Sequence, residues 1–146
     1  HIPFDQFNIR PLRIRQDQVG KRGTFTGQQY EDLVRYMRSY VSKKQCPDEV
    51  ERRERLLIRD YILISSNTLL RVGEARQLTW GDIEKIDLVF DENEKPKKLV
   101  YLNVRSETSK VRANRKVVCR GGEYFERLKD RQEFTHKKDL IFSLDG

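Results

Sequence analysis

The sequence predicts a mainly helical α+β domain, in which helices pack with a small three-stranded antiparallel sheet. Two observations lead to this prediction. Apolar residues recur at helical spacing through the first half of the chain, up to about Leu70. Beyond Trp80 they change to three short runs rich in β-branched and aromatic residues, which turn-forming segments separate. A length of 146 residues suits a single domain with a modest core.

The first 22 residues differ in composition from the rest of the chain. They contain two prolines, few periodic apolar residues and many charges, so we expect residues 1–22 to be an arm or inter-domain linker. The folded domain is expected over residues 23–146. Because the chain begins with His1 and carries no signal-peptide pattern, we expect it to start inside a longer protein.

Two long helices are predicted first. Thr26 and Gln29 form a capping box that starts one helix, which should end within 42–47. Pro47 suits the first turn of a second helix, and the acids that follow it favour the helix dipole. That helix becomes strongly apolar over 56–64, which predicts that its later half lies in the core.

The remaining elements are shorter. The second helix should loosen at 65–68, where serine, asparagine and threonine side chains compete for backbone hydrogen bonds. The segments that should follow are a short helix at 72–78, strands at 83–90, 98–105 and 114–119, a helix at 123–134 and an apolar stretch at 139–143.

The distribution of charge points to a polyanionic partner. The net charge is +7 and the isoelectric point is about 9.5. Residues 10–22 hold five basic side chains against one acid, and residues 105–120 hold six against one. Residues 48–60 between them are nearly balanced, which is typical of a solvated helix face. Two separate basic segments predict a cationic track for a phosphate backbone.

Two basic residues lie where a phosphate could be held. Arg71 follows the apolar helix, in the run Thr-Leu-Leu-Arg-Val-Gly-Glu-Ala-Arg-Gln-Leu-Thr-Trp-Gly-Asp-Ile over 68–83. Its guanidinium is planar and permanently charged, which suits bidentate contact with phosphate oxygens. Lys110 lies in the basic turn between the second and third predicted strands. On spacing alone, a salt bridge from Arg71 to Glu74 and a solvated hairpin lysine are the simpler interpretations.

Together these motifs resemble the tyrosine recombinases, or phage integrases. The first active-site motif of that family runs roughly Thr-Gly-Leu-Arg-x-x-Glu-x-x-x-Leu-x-Trp-x-Asp-Ile, and a family lysine occupies the turn between the second and third strands. The resemblance implies that Arg71 binds the scissile phosphate and that Glu74 orients it or supports the fold nearby. Lys110 would donate a proton to the leaving 5′ oxygen. The further basic side chains expected to contact backbone phosphates are Arg76, Arg112, Arg115 and Lys116.

The chain also departs from the family pattern. Leu69 replaces the usual glycine, so any special backbone angle there should be dispensable, or the local turn should differ. The family's His-x-x-Arg motif and nucleophilic tyrosine have no counterpart, and Tyr124 is read as a core residue. The chain is therefore expected to be the N-terminal portion of a recombinase catalytic domain, inactive on its own.

The resemblance implies site-specific recombination or integration of DNA, by strand cleavage and rejoining through a 3′-phosphotyrosyl intermediate. The implied partners are double-stranded DNA and other protomers on a synapse, in a prokaryotic or phage-encoded, nucleoid-associated protein of the cytoplasm. We expect no metal site, since the two cysteines and two histidines show no ligand spacing. We expect no membrane span, since no run approaches the roughly 18 apolar residues of a membrane helix. We also expect no other cofactor and no small-molecule substrate. The alternatives are a non-enzymatic DNA-binding regulator or accessory factor with this fold, and a type IB topoisomerase relative.

Overall fold

A computed structural model describes residues 23–108 and 113–145. This part of the chain holds four α-helices and one three-stranded antiparallel sheet, which confirms the predicted α+β class. The helices are α1 (Gly27–Tyr40), α2 (Glu49–Thr68), α3 (Val72–Arg76) and α4 (Gly122–Arg131). The strands are β1 (Ile83–Phe90), β2 (Pro96–Val104) and β3 (Arg115–Arg120), hydrogen-bonded in that order. The arm predicted over residues 1–22 lies outside the described residues.

The first helix begins as its sequence predicts. The backbone N–H of Gln29 donates to the Thr26 hydroxyl at 3.2 Å, and that of Thr26 donates to the Gln29 side chain at 2.9 Å. At the other end, Arg52 of α2 donates to the carbonyl of Val41, the C-cap of α1, at 2.9 Å, and Arg55 donates to the Tyr40 carbonyl in the last turn at 3.0 Å. These arginines satisfy carbonyls that a helix end leaves without partners, and so join α1 to α2.

The second helix is longer at its C-terminal end than predicted. Asp48 caps its start by accepting from the Glu51 N–H at 2.8 Å, so Pro47 lies just before the cap rather than in the first turn. The predicted loosening at 65–68 is wrong, because the helix continues through Thr68. Polar side chains there donate to a helix carbonyl, as Asn67 does to Leu63 at 2.7 Å, while the backbone stays helical.

A buried ion cluster joins α2 to α4. Asp60 is fully buried, and Arg59, Arg127 and Arg131 all form ion pairs with its carboxylate. The prediction that 48–60 forms a solvated face therefore fails at its last residue. A buried carboxylate needs such partners, because leaving it unpaired away from water costs several kcal/mol.

The core lies between the inner face of the sheet and helices α2 and α4. In the sheet, Ile86 pairs with Val100, and Val100 pairs with Cys119. The buried side chains of the central cluster come from every layer: Ile64, Leu70, Ala75, Leu78, Trp80, Val100, Leu102, Val104, Phe125, Leu128 and Ile141. The predicted apolar stretch 139–143 thus contributes a core residue.

Four further elements have boundaries that differ from the sequence prediction. Strand β2 starts two residues earlier than predicted and ends one residue earlier, whereas β3 is shifted by one residue. Helix α3 ends at Arg76. The N–H groups of Gln77 and Leu78 donate to the Glu74 and Ala75 carbonyls, three residues earlier, in the pattern of a 3₁₀ turn. Helix α4 stops at Arg131 because Gln132 turns to extended backbone and donates its side chain to the Ile141 carbonyl at 2.7 Å.

None of these helices is both long enough and apolar enough to cross a membrane, over the residues described.

Candidate functional site

A reversal of the chain between α2 and α3 positions Arg71. Leu69 ends α2 in the left-handed conformation, with φ 54° and ψ 25°, and its N–H donates to the Ser65 carbonyl at 3.1 Å. Leu69 lies where the motif that the sequence resembles has glycine, and its left-handed angle shows that a special backbone angle is not dispensable at this position. The Leu69 side chain is 83% exposed, and the following residue, Leu70, turns into the core.

Glu74 pins the backbone of Arg71. Its carboxylate is only 2% exposed and accepts the Arg71 N–H at 3.0 Å. The other carboxylate oxygen lies 3.6 Å from Nη1 of the Arg71 guanidinium, which is 56% exposed. The main chain of Arg71 is therefore fixed by a buried group, while much of its guanidinium faces solvent. The salt bridge that spacing predicts is present, and it leaves donors for a ligand.

The same carboxylate holds the start of β3. Arg115 donates from Nη1 and Nη2 to the two oxygens of Glu74, each at 2.7 Å, in a bidentate pair. The hydrogen bond to Glu74 raises the pKa of the Arg115 guanidinium. Arg115 was predicted to contact a DNA phosphate. That contact stays a prediction; in the structure the two terminal nitrogens of Arg115 lie on Glu74, so Glu74 joins the Arg71 region to the sheet.

Arg105 makes a second link between the sheet and the segment after α3. Its Nε donates to Asp82 at 2.9 Å, its Nη2 donates to the Gln77 carbonyl at 2.9 Å, and its Nη1 donates to Glu107 at 2.6 Å. Although burial opposes the charge, hydrogen bonds to Glu107 and Asp82 raise the pKa of the Arg105 guanidinium. Sequence reasoning missed Arg105 as a site residue and counted it only within a basic segment.

The remaining predicted site residues are placed as follows. Lys110 and Arg112 lie outside the described residues. Arg76 is exposed at the end of α3 and forms no ion pair within the described ranges. Lys116 is exposed on β3, where its Nζ lies 2.9 Å from a carboxylate oxygen of Glu84. Their proposed contacts with DNA phosphates stay predictions.

Apolar packing supports the segment 68–83, which carries Arg71 and Glu74. Leu78 and Trp80 are buried, and Asp82 accepts from the Thr79 N–H at 2.9 Å, as a capping residue does. The chain near residue 137 passes so close that a Cβ on Gly81 would lie 2.6 Å from the Lys137 carbonyl oxygen. The region that carries Arg71 and Glu74 thus rests on a packed core rather than on a loose loop.

Tyr124 lies partly buried at the edge of the core. Its ring packs against the core cluster, and the Arg127 guanidinium lies 5.2 Å from the ring centroid. Burial, and then the nearby Glu123 carboxylate, raise the pKa of the Tyr124 hydroxyl above its ordinary value.

The arrangement presents the exposed guanidinium of Arg71 beside the buried Glu74 carboxylate. No group of three or more His, Cys, Asp or Glu side chains is placed to hold a metal ion, among the residues that the structure describes. Comparison of the chain with protein-family models, with curated proteins and with solved structures found no match.

Proposed function

We propose that this chain is part of the catalytic domain of a DNA strand-breaking and rejoining enzyme, a tyrosine recombinase. The whole protein would cut DNA at a chosen site and rejoin it in recombination or integration. The proposal rests on the sequence motif around Arg71 together with one structural observation, the fixed backbone and exposed guanidinium of that residue.

The geometry of Glu74 supports this role for Arg71. A guanidinium that must meet a phosphate repeatedly in one orientation needs a fixed backbone, because catalytic geometry tolerates errors of less than about 1 Å. Glu74 supplies that fixation through the Arg71 N–H and is itself held by Arg115. A surface arginine with a merely solvated role needs neither contact.

In the proposed reaction, a tyrosine hydroxyl from outside this chain passes its proton to a general base, likewise outside this chain, and attacks the phosphorus of one DNA strand. A new phosphorus–oxygen bond joins the tyrosine to the 3′ side, and the bond to the 5′ oxygen breaks. Arg71 offsets the negative charge that builds on the non-bridging oxygens. Lys110 donates its proton to the departing 5′ oxygen, which leaves as a hydroxyl. The intermediate is a 3′-phosphotyrosyl link.

The other basic residues have a different proposed task. Arg76, Arg112 and Lys116 attract and orient duplex DNA through its phosphates, without reading sequence. The sequence motif further implies that other protomers bind the same DNA and that the protein is located in the prokaryotic nucleoid. Both are part of the proposal.

Trapping of the covalent intermediate tests the proposal. The longer protein that carries this chain is incubated with random-sequence duplexes that contain a nick, so that a short product diffuses away after cleavage and the link persists. We expect protein–DNA adducts that resist denaturing electrophoresis, with a free 5′ hydroxyl on the released strand. The recovered DNA should share a sequence.

The alternatives make different predictions in the same experiment. A non-enzymatic DNA-binding regulator forms no adduct while it retains affinity for the duplex. A type IB topoisomerase relative forms adducts whose recovered DNA shares no site. Either result would overturn the proposed recombinase.

A further inference from the structure

Two arginines approach the buried carboxylate of Glu74 at different distances. Arg115 donates from Nη1 to Oε1 and from Nη2 to Oε2, each at 2.7 Å. Nη1 of Arg71 lies 3.6 Å from Oε1, which is too long for a hydrogen bond. Arg115 therefore forms the closer pair with Glu74, and the Arg71 guanidinium stays nearby with 56% of its side chain exposed.

The bonds from Arg115 have two effects on the carboxylate. They replace hydration, which a side chain only 2% exposed has lost. They also set the plane of the carboxylate, because a planar guanidinium that meets both oxygens at once fixes their direction. One of these oxygens, Oε2, also accepts the Arg71 N–H at 3.0 Å. The orientation that Arg115 imposes on Glu74 is therefore the one that holds the Arg71 backbone.

Removal of the Arg115 charge would change the pairing of Glu74. The carboxylate would remain buried and negative, and a buried charge is stable only with a paired cation. The Arg71 guanidinium is near enough to take that place after a small change in its side-chain torsions. In direct contact with Glu74 its donors would be used and its charge offset, so it would have less of both to offer a phosphate.

We propose that Arg115 is a positioning residue, which keeps the Arg71 guanidinium available to a phosphate by satisfying Glu74 in its place. The inference rests on the proposed function. Arg115 acts on Arg71 through Glu74, and its bidentate pair leaves Arg71 held by its backbone N–H rather than by its charged group. The sequence-based prediction that Arg115 contacts a DNA phosphate leads to a different result in the same experiment.

A double substitution separates this role from a merely structural one. Arg115→Gln removes the charge that satisfies Glu74. Adding Glu74→Gln then removes the charge that would capture Arg71, while the amide oxygen can still accept the Arg71 N–H. If Arg115 is purely structural, the second substitution adds to the damage. If Arg115 positions Arg71, the second substitution restores activity.

The measured quantity is the single-turnover rate of adduct formation in the longer protein, at saturating nicked duplex of the recovered site. We expect Arg115→Gln to lower this rate about 10- to 100-fold, since misplacement of a reacting group by about 1 Å costs about 10²-fold. The double variant should regain about 5- to 10-fold of that loss, which is an ordinary coupling between residues in contact. The matched control is Arg120→Gln, an exposed arginine at the other end of β3, which should match the parent.

A double variant no faster than Arg115→Gln would overturn the inference, and so would an Arg115→Gln variant as fast as the parent. Weaker DNA affinity in both variants, without rescue of the rate, would overturn it and assign Arg115 to a DNA contact. Thermal melts show whether Arg115→Gln is folded. If it is not, Arg115→Lys replaces it in the same comparison, because a single ammonium cannot hold both carboxylate oxygens as a planar fork does.

A second readout depends on neither DNA nor cleavage. NMR of the Arg71 guanidinium, assigned by its loss in Arg71→Lys, reports the rate of rotation about the Cζ–Nε bond. We expect slower rotation in Arg115→Gln, because direct contact with Glu74 restrains the group, and rotation as in the parent in the double variant. Unchanged rotation in Arg115→Gln would overturn the inference. If the parent forms no adduct, or Arg71→Ala cleaves as fast as the parent, the proposed function fails, and this readout still decides whether Arg115 keeps Arg71 off Glu74.

Discussion

Glu74 is the residue on which the local arrangement depends. A carboxylate removed from water is costly unless charge-assisted hydrogen bonds replace its hydration, and Glu74 has such bonds from two directions. Arg115 supplies a bidentate contact from the sheet, and Arg71 supplies its N–H from the start of α3. Loss of the negative charge would therefore loosen two elements at once.

We predict that Glu74→Gln lowers the free energy of unfolding by about 2 kcal/mol. Breaking a fully buried pair costs about 3–5 kcal/mol, and the partial exposure of the Arg115 side chain reduces that figure. Urea unfolding measures the change. Glu84→Gln is the matched control, because the Glu84 pair with Lys116 is exposed and should contribute less than about 1 kcal/mol. Equal effects of the two substitutions would contradict the account of Glu74.

Leu69 should be more stable as glycine. A non-glycine residue in the left-handed region costs about 1 kcal/mol, and the Leu69 side chain is too exposed for its contacts to offset that. We predict that Leu69→Gly raises the unfolding free energy by about 0.5–1 kcal/mol. Leu69→Ala is the control, since alanine keeps the Cβ and should give no gain. If Leu69→Ala raised the unfolding free energy as much as Leu69→Gly, the gain would come from loss of the leucine side chain rather than from relief of the backbone conformation.

At this scale the sequence predicted the motif residues better than their partners. The pairing of Arg71 with Glu74 follows from helical spacing of three residues. The pairing of Arg115 with Glu74 joins residues that lie 41 positions apart, and no local pattern carries such information. Arg105 was missed for the same reason, because its acceptors on Asp82 and Gln77 become neighbours only when β2 reaches the motif.

At the scale of the elements, the turn between β1 and β2 holds a carboxylate, that of Asp91, which several donors stabilise. One oxygen of Asp91 accepts backbone N–H groups from Asn93 and Lys95, each at 2.9 Å, and the other lies 2.9 Å from Nζ of Lys97. Hydrogen bonds to the Lys97 ammonium and the Lys95 N–H hold the pKa of the Asp91 carboxyl below its ordinary value.

This lowered pKa predicts a loss of stability in acid. A carboxyl whose folded pKa lies below its unfolded value of about 3.9 stabilises the fold above that pH. The contribution is lost as the pH falls through the lower, folded pKa. We therefore expect Asp91→Asn to unfold at lower urea than the parent at pH 7, with the difference shrinking as the pH falls below about 3.9. A difference that persisted unchanged at pH 2 would show that the carboxylate charge is not responsible.

Element types were predictable where periodicity was strong, and element ends were predictable only where the cap is local. The Thr26–Gln29 box lies within one turn, so sequence suffices to place the start of α1. The end of α4 depends on Gln132 reaching the Ile141 carbonyl, a tertiary contact. The cluster around Asp60 was misread because α4 supplies two of its arginines from about 70 positions away.

For the whole molecule, the net charge of +7 predicts salt-dependent binding to duplex DNA. If about five phosphates are neutralised, the logarithm of the association constant should fall against the logarithm of salt concentration with a slope of about −4 to −5. Fluorescence anisotropy of a labelled duplex measures the slope. Arg76→Gln should reduce its magnitude by about 1, whereas Arg35→Gln, whose ion pair with Asp32 lies on α1, should leave it unchanged. An affinity that does not change with salt concentration would contradict a surface that binds DNA phosphates.

The central claim is that Arg71 acts on charge developing at the phosphorus, whereas the outer basic residues supply general attraction to DNA. The measurement that tests it most directly is the single-turnover rate of adduct formation in the longer protein at saturating DNA, for Arg71→Ala and Lys116→Ala. We predict that Arg71→Ala lowers this rate about 10²- to 10³-fold with little change in affinity, while Lys116→Ala weakens affinity and leaves the rate nearly unchanged. A larger loss of rate with Lys116→Ala than with Arg71→Ala would contradict the claim.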